Sequence, residues 1–136
     1  MRDYCRMRAN TKSPMVAVVD DNPSMCQAIE SLLMAYGLLV QHFFSAEEFL
    51  SSIHFDRTDC LVLDIRMGGM SGLELQRELK ARGRRLPIIF VTAHGSKNQE
   101  QLAMQAGAVA FLRKPFSAVQ MLKVLASTLE MHELEN

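Results

Sequence analysis

The amino-acid sequence predicts an α/β protein built on a doubly wound, five-stranded parallel sheet with helices on both faces. Two observations carry that reading. Short β-branched runs alternate with amphipathic stretches of helical period five times along the chain. The short runs are continuously apolar rather than alternating, as expected of strands covered on both faces. Right-handed crossovers between such units wind helices onto both sides of the sheet. With 136 residues the chain suits one domain. It can bury roughly two-thirds of its unfolded surface without a disulfide or metal staple.

The elements follow in order. Residues 15–19 form a buried strand, long enough for that and too short for a helix. Asn22 and Pro23 supply an N-cap and a first helical position. Met25, Ile29, Leu32, Leu33 and Tyr36 recur at helical spacing, and Gly37 stops that helix. Residues 38–43 form the second strand. Ser45, Ala46, Glu47 and Glu48 form a capping box for a short helix through about Ser52. Residues 60–63 are the third strand. Ser71 and Gly72 open a helix with Leu73, Leu75 and Leu79 inward, ended by Gly83. Residues 88–91 are the fourth strand, after Pro87. Ser96 to Gln99 form a second capping box, for a helix ended by Gly107. Residues 109–112 are the fifth strand. Ser117 to Gln120 cap a last helix through about Glu130, with Val119, Leu122, Leu125 and Leu129 as its apolar stripe. For five such strands the expected order is the flavodoxin-like 2-1-3-4-5.

Fifteen basic and fifteen acidic residues cancel, so no charge footprint for bulk nucleic-acid binding is expected. The zero is an average. Residues 1–12 are basic, with Arg2, Arg6, Arg8 and Lys12 against Asp3. We read 1–13 as a disordered basic tail, 14–130 as the domain and 131–136 as a C-terminal tail. No apolar stretch is long enough to cross a bilayer, and the N-terminus lacks the apolar region of a secretory signal. Cys5, Cys26 and Cys60 are scattered and odd in number, which fits a reduced, cytoplasmic protein. The ten methionines read as core or surface filling, and Phe43, Phe44, Phe49 and Phe90 as core. Lys80, Arg82, Arg84 and Arg85 sit where they complement a helix dipole.

In doubly wound sheets, ligands bind outside the carboxyl ends of the strands. Asp20 and Asp21 follow strand one, Asp64 strand three, Thr92 strand four and Lys114 strand five. Taken singly, each has an ordinary role as a loop acid, helix cap, strand-end hydroxyl or solvated charge. Jointly they place three carboxylates, a hydroxyl and an ammonium on one edge. Crowded carboxylates repel, and a hard divalent ion relieves them. With such an ion beside it, an Asp oxygen can attack a phosphoryl group. Lys114 and Thr92 could then neutralise and hydrogen-bond its oxygens. No dinucleotide or Walker glycine loop is present.

Five segments carry a family resemblance: VAVVDD at 16–21, LVLDIRM at 61–67, GMSG at 69–72, PIIFVTAHG at 87–95 and GAVAFLRKPF at 107–116. Over about residues 14–130 the chain resembles the receiver domain of bacterial two-component response regulators. The last two segments look most like the nitrogen-fixation-regulator subgroup, whose full-length members usually carry a C-terminal helix-turn-helix domain. The resemblance implies that Asp64 accepts a phosphoryl group from a phosphohistidine on a sensor histidine kinase. It implies Mg2+ (or Mn2+) held by Asp21, Asp64 and the backbone carbonyl of Arg66, with Asp20 acting through water. Lys114 would pair with the phosphoryl group, Thr92 would swing toward it, and Phe111 would be the aromatic switch. The Lys114–Pro115 peptide would be cis. Arg66 and His94 occupy positions that influence phosphoryl lifetime, and His94 reads equally as a solvated loop residue. Phosphorylation would bias the face formed by the fourth helix, fifth strand and fifth helix, where such domains dimerise or meet a target. The output would be transcription, with no nucleic acid bound by this domain itself. One departure stands out: the family usually has Pro four residues after the acceptor, and here Gly68 predicts a looser or differently turned loop.

Two other readings compete. An aspartyl-nucleophile phosphatase would want a second Asp two residues after Asp20, where Asn22 stands, and a cap insertion that is missing. A receiver-like interaction module that never takes phosphate would be expected to have lost some of the five site residues. The chain reads either as a single-domain regulator or as part of a longer one.

Overall fold

The apolar runs become five strands in the computed structural model, which describes residues 13–135, with side chains through Leu129. The strands are β1 (Met15–Val19), β2 (Leu39–Phe43), β3 (Cys60–Leu63), β4 (Ile88–Thr92) and β5 (Ala110–Arg113). Among the described residues, five α-helices alternate with them: α1 (Pro23–Met34), α2 (Ala46–Leu50), α3 (Gly72–Ala81), α4 (Lys97–Gln105) and α5 (Ala118–Glu135). All strand pairs are parallel, in the expected order β2-β1-β3-β4-β5. Of the expected basic tail at 1–13, residues 1–12 lie outside the described residues.

Alternation of side chains along each strand splits the core in two. Ala17, Val19, Leu61, Leu63 and Phe90 face one side, where they meet Phe49 of α2, Leu75 and Leu79 of α3, and Ala103 of α4. Val16, Val18, Val62, Ile89 and Val91 face the other, against Ile29 and Leu33 of α1 and Met121 and Leu125 of α5. β1 and β3 are buried at every position, which is why their sequences show no alternation.

Local capping decides where the helices begin. The Asn22 side chain accepts from the Ser24 and Met25 amides, and Pro23 opens α1. Ser71 with Glu74 and Ser96 with Gln99 close full capping boxes at α3 and α4. At α2 the Ser45 hydroxyl takes the Glu48 amide, but the Glu48 carboxylate turns to the Phe44 amide at 2.9 Å.

Several expectations shift. α2 stops at Leu50, because the Ser51 hydroxyl donates to the Glu47 and Glu48 carbonyls and competes with further helix. A 3-10 turn at Phe55–Arg57 follows it, which the residue pattern did not signal. α5 runs on to Glu135, past the expected end near Glu130, since no Gly or Pro interrupts residues 131–135. Its buried stripe is Met121, Leu125 and Leu129, while Val119 at the first turn is 65% exposed. Tyr36 falls beyond the end of α1, and Phe44 beyond the end of β2; both are exposed rather than core. The basic residues after α3 also divide. Arg82 pairs with Glu78, whereas Arg84 donates to the Phe55 and Thr58 carbonyls and lies 5.7 Å from the Phe55 ring centre.

Candidate functional site

Parallel register brings the predicted residues to one edge. Val19 pairs with Leu63, so Asp20 and Asp64 leave adjacent strands side by side. Thr92 pairs with Arg113, so Lys114 leaves β5 beside the end of β4. Backbone hydrogen bonds seat each one. The Asp20 amide donates to the Phe43 carbonyl at 3.1 Å, Asp64 to Val19 at 3.0 Å and Lys114 to Thr92 at 2.9 Å.

Asp20, Asp21 and Asp64 each direct a carboxylate oxygen into one cluster whose members lie within 4.8 Å of one another. Asp20 and Asp64 are buried and Asp21 is exposed, so the cluster opens to solvent on one side. The Lys114 Nζ spans it, 2.8 Å from Asp20 Oδ2 and 3.4 Å from Asp64 Oδ2. The remaining oxygens of the two buried acids accept amides: Asn22 donates to Asp20 Oδ1 at 2.9 Å and Arg66 to Asp64 Oδ1 at 3.2 Å.

Burial, then the neighbouring Asp20 charge, hold the Asp64 carboxyl above the usual aspartate range, against the opposing pull of Lys114. Burial draws the Lys114 ammonium the other way. Its bonds to Asp20 and the charge of Asp64 outweigh that, and leave its pKa raised. Two negative charges and one positive thus share a mostly buried edge. Three hard oxygen donors open to water on one side fit a small divalent ion that keeps part of its hydration, as Mg2+ does.

Thr92 is buried, and its oxygen accepts the His94 amide at 3.3 Å. Phe111 is half-buried, with its ring centre 6.1 Å from that of Phe90. Between Thr92 and Phe111 lies Gly95. A Cβ on Gly95 would come within 2.6 Å of the Phe111 ring and 2.7 Å of the Thr92 methyl. The two expected switch residues therefore pack against one glycine. Arg113 covers the outer side. It lies 5.2 Å from the Phe111 ring centre, pairs with Glu100 of α4 at 2.8 Å and donates to the Gly95 carbonyl. The Lys114–Pro115 peptide is cis, as the resemblance implies.

The side chains of Arg66 and His94 are exposed and bond to no described residue, so the structure brings neither into the cluster. Gly72 was read only as part of a helix start. Its absent side chain lets α3 lie on the end of β3, since a Cβ there would sit 2.3 Å from the Asp64 carbonyl oxygen. Glu47 was read only as part of a cap, yet its Oε2 accepts the Met70 amide in the loop after Asp64. Both contacts join residues far apart along the chain or across a loop, and no local pattern announces them.

Comparison with known proteins agrees with this geometry. The sequence pattern of the response regulator receiver domain matches residues 16–126. The chain is 38% identical over 120 residues to the response regulator protein TodT of Pseudomonas putida, covering 88% of this chain and 53% of TodT. It is 39% identical over 115 residues to the transcriptional regulatory protein FixJ of Azorhizobium caulinodans, covering 84% of this chain and 54% of FixJ. The chain thus spans about half the length of these curated relatives. Among solved structures, the response regulator StyR superposes with a TM-score of 0.83 at 41% identity, over 90% of this chain and 62% of StyR.

Proposed function

The chain belongs to the response regulator receiver domain family, and from that premise we propose that it is a phospho-accepting switch with Asp64 as the acceptor. The observation that supports this most directly is the Asp20, Asp21 and Asp64 cluster spanned by Lys114 at the carboxyl edge of the sheet. An Asp64 oxygen attacks the phosphorus of a phosphohistidine on a sensor histidine kinase. A P–O bond forms, the P–N bond breaks, and the imidazole leaves with a proton. Asp21, Asp64 and the Arg66 carbonyl would hold Mg2+ or Mn2+, with Asp20 acting through water. When bound, that ion supplies positive charge that lowers the repulsion between carboxylate and phosphoryl oxygens.

The residues of the chain do the rest. Lys114, already beside Asp64, pairs with a phosphoryl oxygen. The Thr92 hydroxyl has no protein acceptor among the described residues and is available to donate to another. Thr92 packs on Gly95 and Gly95 on Phe111, so movement of the hydroxyl is felt at the face of α4, β5 and α5. Arg66 and His94, exposed beside the cluster, would influence how long the phosphoryl group survives. That face controls the output, which we take to be transcription, as in the regulators it resembles, through a homodimer or a target protein. The chain thus acts on its own phosphoryl group and on no separate substrate. No helix among the described residues is long and apolar enough to cross a membrane. The cytoplasm is the compartment where the proposed kinase and output would meet it.

Acetyl phosphate with Mg2+ tests the reading. Wild type should gain one phosphoryl group by intact mass, and Asp64→Asn none. Absence of an adduct in wild type, or an equal adduct in Asp64→Asn, would overturn it.

A further inference from the structure

The loop after Asp64 has Gly68 where the family usually has proline, and it takes a contact from a helix distant in sequence. Its ends are held locally. The Arg66 amide donates to Asp64 Oδ1 at 3.2 Å, the Gly72 amide to the Ile65 carbonyl at 2.9 Å, and Ser71 with Glu74 closes the cap of α3. Between these ends, residues 67–70 make one hydrogen bond among the described residues. The Met70 amide donates to Glu47 Oε2, on α2, at 3.0 Å. The neighbouring Glu48 is committed to the Phe44 amide, which leaves Glu47 to reach outward. Gly69 completes the seat. Its φ of +76 suits glycine, and a Cβ there would crowd Glu47 Oε2 at 3.0 Å. Gly68 is different: its φ is not in the left-handed region, and a Cβ would meet nothing within 4 Å. Nothing described would crowd a Cβ at position 68, but this chain leaves it a glycine and ties the loop from outside.

We propose that Glu47 is a positioning residue for phosphoryl transfer at Asp64: by tethering the loop at Met70 it holds the Arg66 carbonyl ready for the divalent cation, in a chain that has Gly68 where the family usually has proline. The inference rests on the Mg2+-dependent acceptor reading above. A backbone carbonyl is an efficient ligand only when its loop is ordered beforehand. Otherwise the ordering entropy is charged against cation binding. A carboxylate accepting an amide is one of the stronger single hydrogen bonds available for that task.

The test uses the full chain and follows Mn2+ binding to the unphosphorylated protein by electron paramagnetic resonance. Adduct formation from acetyl phosphate is followed by intact mass, and folding by circular dichroism. Glu47→Ala should weaken Mn2+ binding about three- to tenfold, the worth of one hydrogen bond, and slow adduct formation in step. Glu47→Gln, which keeps an acceptor oxygen, should stay within about twofold of wild type. Glu47→Asp, one methylene short of Met70, should behave like Glu47→Ala, and decides the matter if Glu47→Ala does not fold. Gly68→Pro added to either weakened variant should restore most of the affinity, a rescue that a merely structural role for Glu47 would not show. Wild-type affinity in Glu47→Ala and Glu47→Asp, or no rescue by Gly68→Pro in a folded double variant, overturns the proposal while leaving the acceptor reading intact. Failure of wild type itself to bind the cation removes the acceptor reading, and this proposal with it.

Discussion

Asp64 is held where its own charge is least favourable, buried and beside the Asp20 carboxylate. Its raised pKa means that the folded state binds this proton more tightly than the unfolded chain does. The resulting penalty is absent well below the ordinary aspartate value of 3.8, where both states are protonated, grows as pH rises from there toward the shifted value, and is complete above it. Asp64→Asn should therefore raise the thermal midpoint in EDTA at neutral pH, with the gain shrinking in acid. Added Mg2+ should raise the midpoint of wild type and leave Asp64→Asn nearly unmoved, because only the former binds the ion well. A lower midpoint for Asp64→Asn in EDTA would show that pairing with Lys114 outweighs the crowding. Gly72 poses the opposite problem, one of space. Its neighbours at 2.3 Å and 2.9 Å are backbone atoms of Asp64 and Ile65, which cannot rotate away. Gly72→Ala should cost about 2–4 kcal/mol in urea unfolding and also slow the proposed phosphorylation, since α3 must shift against the end of β3.

At the scale of elements, residue types at helix starts say where the helices begin, and long-range contacts say how the loops are held. Asn22, Ser71 and Ser96 were recognisable as caps because their hydrogen bonds close within three residues. Arg84 was not recognisable as a tie, because its acceptors at Phe55 and Thr58 lie almost thirty residues away. Its guanidinium satisfies two carbonyls around a 3-10 turn and covers the Phe55 ring. Arg84→Ala should destabilise the protein by about 1–2 kcal/mol in chemical denaturation. Arg85→Ala, at an exposed site, should change it by less than about 0.5 kcal/mol. Equal effects would mean that the run acts through net charge alone.

Across the whole molecule, one sheet serves two cores. Leu75 lies in the layer under α3, and Leu125 in the layer under α5, each almost fully buried. The strands between them belong to both layers, so neither layer can melt while the other keeps its floor. Leu75→Ala and Leu125→Ala should each cost about 2–5 kcal/mol. In each variant, amide hydrogen exchange resolved on the two layers and far-ultraviolet circular dichroism should still report a single shared transition. Separate transitions would show that the two layers fold independently. The same shared floor carries the site, because the carboxyl ends of β1, β3, β4 and β5 supply its residues in register.

The sequence by itself determined the five β-α units, their parallel order and the edge where Asp20, Asp21, Asp64, Thr92 and Lys114 meet. Those features follow from apolar runs, caps and crossover handedness, which are written locally and repeat. It also marked Gly68 as a departure from the family pattern, without saying how the loop there is held. Only the tertiary structure decided that Glu47 reaches the Met70 amide, that Gly72 lets α3 rest on Asp64, and that Gly95 joins Thr92 to Phe111. Those contacts depend on how close separate elements come to one another. That closeness is set by the packing of the whole core rather than by any short stretch of residues.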